Sequence, residues 1–434
     1  MKDVRIKTGF MAILIIVTTP VVLWYMAPAY PPRFGDFETT LANLGQIFGL
    51  VGAVLLSLNF ILSTRLKFLE KLFRGLNDVY IKHALFGKIA FALLLFHPLL
   101  LLTKYTEGSF SEAVSFLLPG DAWDINFGTF GLGVMTVLIA LTLYLRPRYD
   151  IWKITHKFFG LALIFAGLHI YLVPSDVSTY LPLRIYMISL IALGFLAYTY
   201  KTLLNWLLAP KMIFEVTDVK TLNKNVTQIS FKTQKPFVYK AGQFCFVSFD
   251  DPDMEAESHP YSFVSAPHEN LVKLAIKNLG DHTAKVGKLH TGTIAKVEGP
   301  FGIFNYENAY YKNQIWIAGG IGITPFVSMA EDLLHRDADY EVDIFYAVNE
   351  EEDAVYLGRL QEIARLIPQK FRVHVNYLVR DGLLTTEKIM DKVGDFDSKN
   401  IFICGPPKMM ATIRDDLSKL GVLKNAIRSE EFSL

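Results

Sequence analysis

The chain has 434 residues, 52% of them hydrophobic, and a mean hydropathy of +0.31, which allows two or three domains and points to a membrane protein. Its formal net charge of +1 hides an asymmetry, since residues 1–210 carry 17 Lys and Arg against 11 Asp and Glu while residues 211–434 carry 26 against 31. That balance offers no broad basic face for nucleic acid, and two isolated cysteines, Cys245 and Cys404, exclude a disulfide framework, a CxxC motif and a cysteine-ligated iron–sulfur cluster.

Apolar segments long enough to cross a bilayer are expected at 10–27, 41–62, 80–102, 128–145, 152–173 and 183–208. The first follows Lys2, Arg5 and Lys7 and precedes a small-x-small triplet, as a signal peptide would. Its apolar run is long for a signal core, so we read it as a retained helix, bent at Pro20. Bases gather in the loops after spans two and four (Arg65, Lys67, Lys71, Arg74; Arg146, Arg148, Lys153). The positive-inside rule then places both termini in the cytoplasm of a multi-pass protein of the cell membrane, plasma or inner.

Two of these segments carry paired histidines, His83 and His97 in span three and His156 and His169 in span five. Ionisable groups inside a membrane are costly, and imidazole is a frequent axial ligand of haem iron. Polar residues bonding to neighbouring helices are the alternative. His83 and His97, fourteen positions apart, fall about 21 Å apart and within about 40° of one face. His156 and His169, thirteen apart, would be about 140° out of phase in an ideal helix, a misfit that simple geometry does not explain and that a bend or tilt, at Gly160 or Gly167 for instance, would have to absorb. Both spans run outward, so His83 should face His156 at the inner level and His97 should face His169 at the outer. Lys82, Lys88, Lys153 and Lys157 cluster at the inner level, either to pair with haem propionates or to snorkel to the interface.

After Pro210 the text changes. MIFEVTDVK, NVTQISFKT, QFCFVSF and LVKLAIKN are short strand-like runs with no long helix between them, as in an antiparallel barrel. From Gln314 strands and helices alternate: IWIA, a glycine turn, TPFVSMAEDLL, VDIFYAV, LGRLQEIARL, RVHVNYLV, NIFIC and a helix from about Lys408. That pattern predicts a doubly wound α/β domain. The expected domains are 1–210, 211–310 and 311–434.

Gly319-Gly320-Ile321-Gly322-Ile323-Thr324-Pro325 joins a predicted strand to a predicted helix, where glycines admit a pyrophosphate and the helix start offers free N–H groups. Cys404-Gly405-Pro406-Pro407 ends the last clear strand and should border the same crevice. A small buried residue is the plain reading of Cys404.

With His259-Pro260-Tyr261-Ser262, Gly280-Asp281-His282-Thr283, Gly299-Pro300-Phe301-Gly302 and a near-terminal Phe432, these motifs resemble the flavin reductase half of the NADPH oxidase and ferric reductase superfamily. The four membrane histidines match that family's haem-ligand pattern. The similarity is to compact prokaryotic members, and no regulatory protein partner is evident.

The resemblance implies FAD, two b-type haems and NADPH or NADH as donor. His83 with His156 would ligate the inner haem, and His97 with His169 the outer. His259, Pro260, Tyr261 and Ser262 match the flavin motif, with Tyr261 and Ser262 at the isoalloxazine and ribityl region. Gly280 and Thr283 match the loop holding the FAD pyrophosphate. Gly319, Gly320, Gly322, Ile323, Thr324, Pro325, Cys404, Gly405 and Pro406 would meet NAD(P)H, with Cys404 near the nicotinamide. Phe432 would stack on the flavin ring and yield to the nicotinamide. Relatives carry an arginine in span two near the outer haem, where this chain has Asn43 and Gln46. After VDIFYAV, where NADPH-selective relatives often place an arginine, it reads Asn349-Glu350-Glu351-Glu352-Asp353. Carboxylates repel a 2′-phosphate and accept from a free ribose hydroxyl, so NADH use at least as good as NADPH is expected.

Electrons would cross a lipid bilayer from NAD(P)H through FAD and the haems to an outer acceptor, O2 giving superoxide or a ferric chelate. A different class of reading is a soluble-type diaphorase on an inert membrane anchor.

Overall fold

The structure, a computed structural model, describes all residues except 1, 30–32, 74, 106–109, 146, 205–210, 256, 337–338 and 432–434. At 2–7, 103–105, 110, 112–113 and 149–150 it describes the backbone alone. The chain forms two compact units, Met1–Ala209 and Pro210–Leu434.

In the first unit, the described residues form six helices long and apolar enough to cross a membrane: Thr8–Met26, Phe37–Leu62, Leu76–Leu102, Trp123–Leu145, Ile151–Leu172 and Leu181–Leu204. Span two is the centre of the bundle, with 56% of its apolar window buried against 6–22% for the others. Its glycines explain that position. A Cβ on Gly52 would lie 2.7 Å from Leu94 of span three, and a Cβ on Gly194 of span six would lie 3.1 Å from the Cα of Ser57. Small residues of this kind let helices approach where lipid gives no hydrophobic drive.

Span five is two helices, Tyr149–Lys157 and Phe159–Leu172, meeting at Phe158. The Phe158 N–H donates to the Thr155 carbonyl at 3.0 Å, and the Leu161 N–H donates to the Phe158 carbonyl at 2.9 Å. These i to i+3 bonds tighten the turn locally and change the angular step per residue. The break in span five thus lies at Phe158 rather than at Gly160 or Gly167. Gly160 serves a different end, because a Cβ there would lie 2.2 Å from the Tyr198 ring.

The second unit contains two sheets. The first is antiparallel, formed by β1 (Met212–Asn223), β2 (Val226–Thr233), β3 (Phe244–Asp250), β4 (His259–Ser262), β5 (Val272–Lys277) and β6 (Ile294–Phe301) in the order β4-β3-β6-β1-β2-β5. Its two edges meet through a bridge between Phe263 and Leu274, and the Val264 N–H donates to the Lys273 carbonyl at 2.9 Å. That closes the sheet into a barrel and removes its free edges. Phe214, Phe231, Phe263 and Ile229 fill its core.

The second sheet is wholly parallel, with β7 (Asn313–Gly319), β8 (Glu341–Val348), β9 (Phe371–Tyr377), β10 (Asn400–Cys404) and β11 (Ile427–Glu430) in the order β11-β10-β7-β8-β9. Helices Thr324–Leu334, Leu357–Leu366, Thr386–Val393 and Pro407–Lys419 accompany it. β7 and β10 are neighbours although β8 and β9 intervene in sequence, so the chain reverses its winding direction between them. A crevice opens at such a point beyond the carboxyl ends of the strands. Barrel and parallel sheet are joined by buried bonds: the Ser328 hydroxyl donates to the Ser265 carbonyl at 2.6 Å, and the Asn305 amide donates to the Ala241 carbonyl at 2.7 Å.

Candidate functional site

The membrane histidines meet in two pairs, one from span three and one from span five in each. The rings of His83 and His156 lie 6.1 Å apart between centroids, and those of His97 and His169 lie 6.4 Å apart. Two metal–nitrogen bonds of about 2 Å, with half a five-membered ring at either end, need about 6 Å. Nδ1 of His83 lies 3.0 Å from the Asn59 carbonyl, that of His97 lies 2.7 Å from the Gly45 carbonyl, and that of His169 lies 2.7 Å from the Asp124 carbonyl. A carbonyl only accepts, so each of these nitrogens carries the proton and leaves Nε2 as a bare lone pair. Metal-ligating histidines are held in this way. The arrangement fits a metal with two axial imidazoles at each level. Among the described residues no group of three or more His, Cys, Asp or Glu could hold a metal ion, so the histidine pairs are the candidates.

Asn43 and Gln46 are both engaged near that end of span two. The Asn43 amide donates to the Arg33 carbonyl, and the Gln46 side-chain carbonyl accepts from the Trp24 indole at 2.8 Å. The Arg33 guanidinium lies over the Trp24 ring at 3.9 Å and donates to Asp176 at 2.8 Å. Span two thus reaches an arginine through the preceding loop, a link that sequence spacing did not reveal.

In the parallel sheet, the two glycine turns touch. A Cβ on Gly405 would lie 2.9 Å from the Gly319 amide nitrogen, and a Cβ on Gly322 would lie 2.3 Å from the Cys404 carbonyl oxygen. Gly320 has φ +53°, and a Cβ there would meet nothing within 4 Å. Its bare backbone faces a cleft of about 490 Å3 that Gly319, Gly320, Asn349, Asn376, Pro406 and Met409 help to line. Gly322, Ile323, Thr324 and Pro325 lie buried behind this turn, where they begin the helix Thr324–Leu334. Cys404 is buried, and burial together with the nearby Glu430 carboxylate pushes its thiol pKa up, so it is a neutral thiol at physiological pH. Glu430, at the end of β11 beside β10, is the site residue that motif reading missed. Only the strand pairing Cys404 to Glu430 brings it there.

In the barrel, His259, Pro260, Tyr261 and Ser262 form the strand β4. Burial, reinforced by Cys245, pushes the Tyr261 phenol pKa up. The Thr283 hydroxyl accepts from the N–H groups of Leu279 (2.8 Å) and Gly280 (3.0 Å) and donates to the Gly280 carbonyl (3.0 Å). It shapes the turn from Gly280 into the short helix Asp281–Lys285. His282 is buried, its ring packs against that of His259 with centroids 3.8 Å apart and planes 34° from parallel, and among the described residues neither of its nitrogens has a hydrogen-bond partner. Burial first and His259 second hold its pKa down to about 4. Phe432 lies outside the described residues.

Comparison with known proteins follows the same division. Residues 48–167 match the ferric reductase like transmembrane component, 211–319 an FAD-binding domain, and 316–415 an oxidoreductase NAD-binding domain. Dual oxidase 2 of Rattus norvegicus is 31% identical over 137 residues, 30% of this chain and 9% of that protein. Dual oxidase 1 of Caenorhabditis elegans is 28% identical over 243 residues, 51% of this chain and 15% of that protein. The chain thus spans a small part of these longer relatives. Among solved structures, the cytochrome b5 reductase domain of Ulva prolifera nitrate reductase aligns with a TM-score of 0.46 at 19% identity, covering 51% of this chain and 97% of that one. The chain therefore joins a ferric-reductase-like transmembrane component to FAD-binding and oxidoreductase NAD-binding domains and is a homologue of the dual oxidases.

Proposed function

We propose that the chain carries electrons across the cell membrane, from NAD(P)H on the cytoplasmic side to dioxygen on the other, giving superoxide. The observation that carries this reading is the pair of facing imidazole couples, 6.1 and 6.4 Å between centroids, at two levels of one apolar bundle. His83 with His156 would hold a b-type haem at the inner level, and His97 with His169 one at the outer level. When bound, FAD supplies the change from a two-electron hydride to single electrons, and the haems supply one-electron relay. Each NAD(P)H oxidised reduces two dioxygen molecules and releases one proton.

The chain's own part is position and insulation. Gly319 and Gly320 offer bare backbone to the dinucleotide's phosphates. Ser262 and Tyr261 would border the flavin, with Cys404 beside the nicotinamide and Phe432 as the yielding cover. The apolar spans exclude water and ions, so only electrons cross. With two imidazoles holding each metal, the acceptor would be reduced without binding a metal. The ferric-reductase-like match of residues 48–167 makes an iron chelate the alternative acceptor.

The test is the purified protein, loaded with both cofactors, in sealed vesicles supplied with NADH on the reductase side. Cytochrome c reduction on the opposite side that superoxide dismutase abolishes is expected. Dismutase-insensitive reduction of an iron chelate would move the reading to a ferric reductase. A protein without Soret absorbance that still oxidises NADH would leave a diaphorase on an anchor.

A further inference from the structure

The four membrane imidazoles are not anchored alike, and the difference has a simple geometric cause. The Gly45 carbonyl that accepts from His97 lies four residues before Gly49, and the Asp124 carbonyl that accepts from His169 lies four residues before Gly128. In a helix the N–H at i+4 already donates to the carbonyl at i, which keeps a second lone pair. Side chains tilt towards the helix N-terminus, so the residue at i+4 lies over that lone pair. Glycine uncovers it. A Cβ on Gly49 would lie 2.7 Å from Nδ1 of His97, and one on Gly128 would lie 3.0 Å from Nδ1 of His169. Each ring lies across its glycine while its nitrogen reaches the carbonyl one turn back.

The other pair lacks this construction. His83 reaches the Asn59 carbonyl at 3.0 Å, where the i+4 residue is Ser63, whose N–H shares that carbonyl at 3.1 Å. Among the described residues Nδ1 of His156 has no hydrogen-bond partner, and its ring rests between Trp152 and Phe159, each 4.9 Å away between centroids.

We infer that Gly49 and Gly128 are positioning residues for the outer axial ligands: two carbonyl–glycine notches, on spans two and four, fix the tautomer and ring plane of His97 and His169. The inference rests on the di-haem reading above. It adds an asymmetry to that reading, because a hydrogen bond from Nδ1 makes an imidazole the more basic ligand. A more basic ligand favours the oxidised metal. The outer haem is thereby held by two such ligands and the inner by one, which gives the outer centre the lower midpoint potential.

Full-length Gly49→Ala and Gly128→Ala proteins test this, with Gly52→Ala and Gly133→Ala as controls. A Cβ on Gly52 meets Leu94 at 2.7 Å, the same crowding as at Gly49 but with no imidazole, and a Cβ on Gly133 meets nothing within 4 Å. The readouts are haem per protein, the low-spin electron paramagnetic resonance spectrum, which senses ring planes, and a potentiometric titration. Gly49→Ala should lose half of the haem. Gly128→Ala, where the contact is looser, should keep both haems but shift one resonance and raise the lower midpoint. Gly133→Ala should match wild type; Gly52→Ala crowds the same two spans and should lower thermal stability while keeping both haems and their resonances. Two unchanged haems in both test variants, or the same loss of haem in Gly52→Ala, would overturn the inference while leaving the di-haem reading intact. A wild-type protein with no haem would remove that reading and this inference together.

Discussion

Gly405 backs directly onto Gly319: a Cβ on Gly405 would lie 2.9 Å from the Gly319 amide nitrogen and 2.7 Å from the Met409 methyl carbon. The loop after β10 and the loop after β7 are thus one surface, and the cleft wall depends on both. Gly405→Ala must push backbone against backbone. We expect at least a tenfold rise in KM for the nicotinamide donor, about 1.4 kcal/mol, with FAD content unchanged. Stopped-flow reduction of the bound flavin at several NADH concentrations measures it. An unchanged KM would show that the two loops are not coupled.

His97→Leu removes one of two facing imidazoles and leaves the reductase unit untouched. The expected protein keeps one haem and full NADH-dependent reduction of a soluble dye, and loses reduction of the outer acceptor. Haem content against flavin content gives the ratio directly. Retention of both haems would contradict the ligand assignment.

The donor preference follows from charge after β8. Asn349 and Asp353 border the cleft, and Glu350, Glu351 and Glu352 lie between them in sequence. A 2′-phosphate brought there meets like charge, whereas a free ribose hydroxyl meets acceptors. NADH should therefore serve at least as well as NADPH by kcat/KM, and raising the salt should narrow any gap, because exposed charges are screened. A strong NADPH preference would sink the argument.

His282 gives a pH dependence with a definite sign. Its folded-state pKa is held at about 4, below the ordinary 6.5, so between those values the unfolded chain binds more protons than the folded one. Stability must then fall as pH drops from about 6.5 towards 4, and level off below for this group. Thermal melts followed by flavin release should show that slope in the wild type and a weaker one in His282→Phe. Equal slopes would assign the acid sensitivity to other groups.

Much was legible in one dimension. Hydropathy marked every span, because a bilayer accepts only long apolar helices. Strand and helix runs such as TPFVSMAEDLL, LGRLQEIARL and NIFIC fell where the sequence placed them, because buried parallel strands read as unbroken apolar text. The glycine turns announced themselves for the same local reason. By contrast β4, β6, β11 and the helix Thr386–Val393 were not read. HPYS was legible as a motif but not as a strand.

What the sequence determined by itself was therefore everything set by neighbours along the chain: span length, strand character, turn chemistry and the presence of four intramembrane histidines. The tertiary structure decided which groups meet. It placed Glu430 beside Cys404 through the β10–β11 pairing, packed His282 against His259, put the break in span five at Phe158, and gave the Gly45 and Asp124 carbonyls to His97 and His169. These pairings join residues from 23 to 52 positions apart, taking His259 with His282 and Gly45 with His97 as the extremes. Periodicity along one segment carries no information about such meetings, because they depend on how closely two separate backbones can approach, and at Gly49 and Gly128 that depends on a missing side chain.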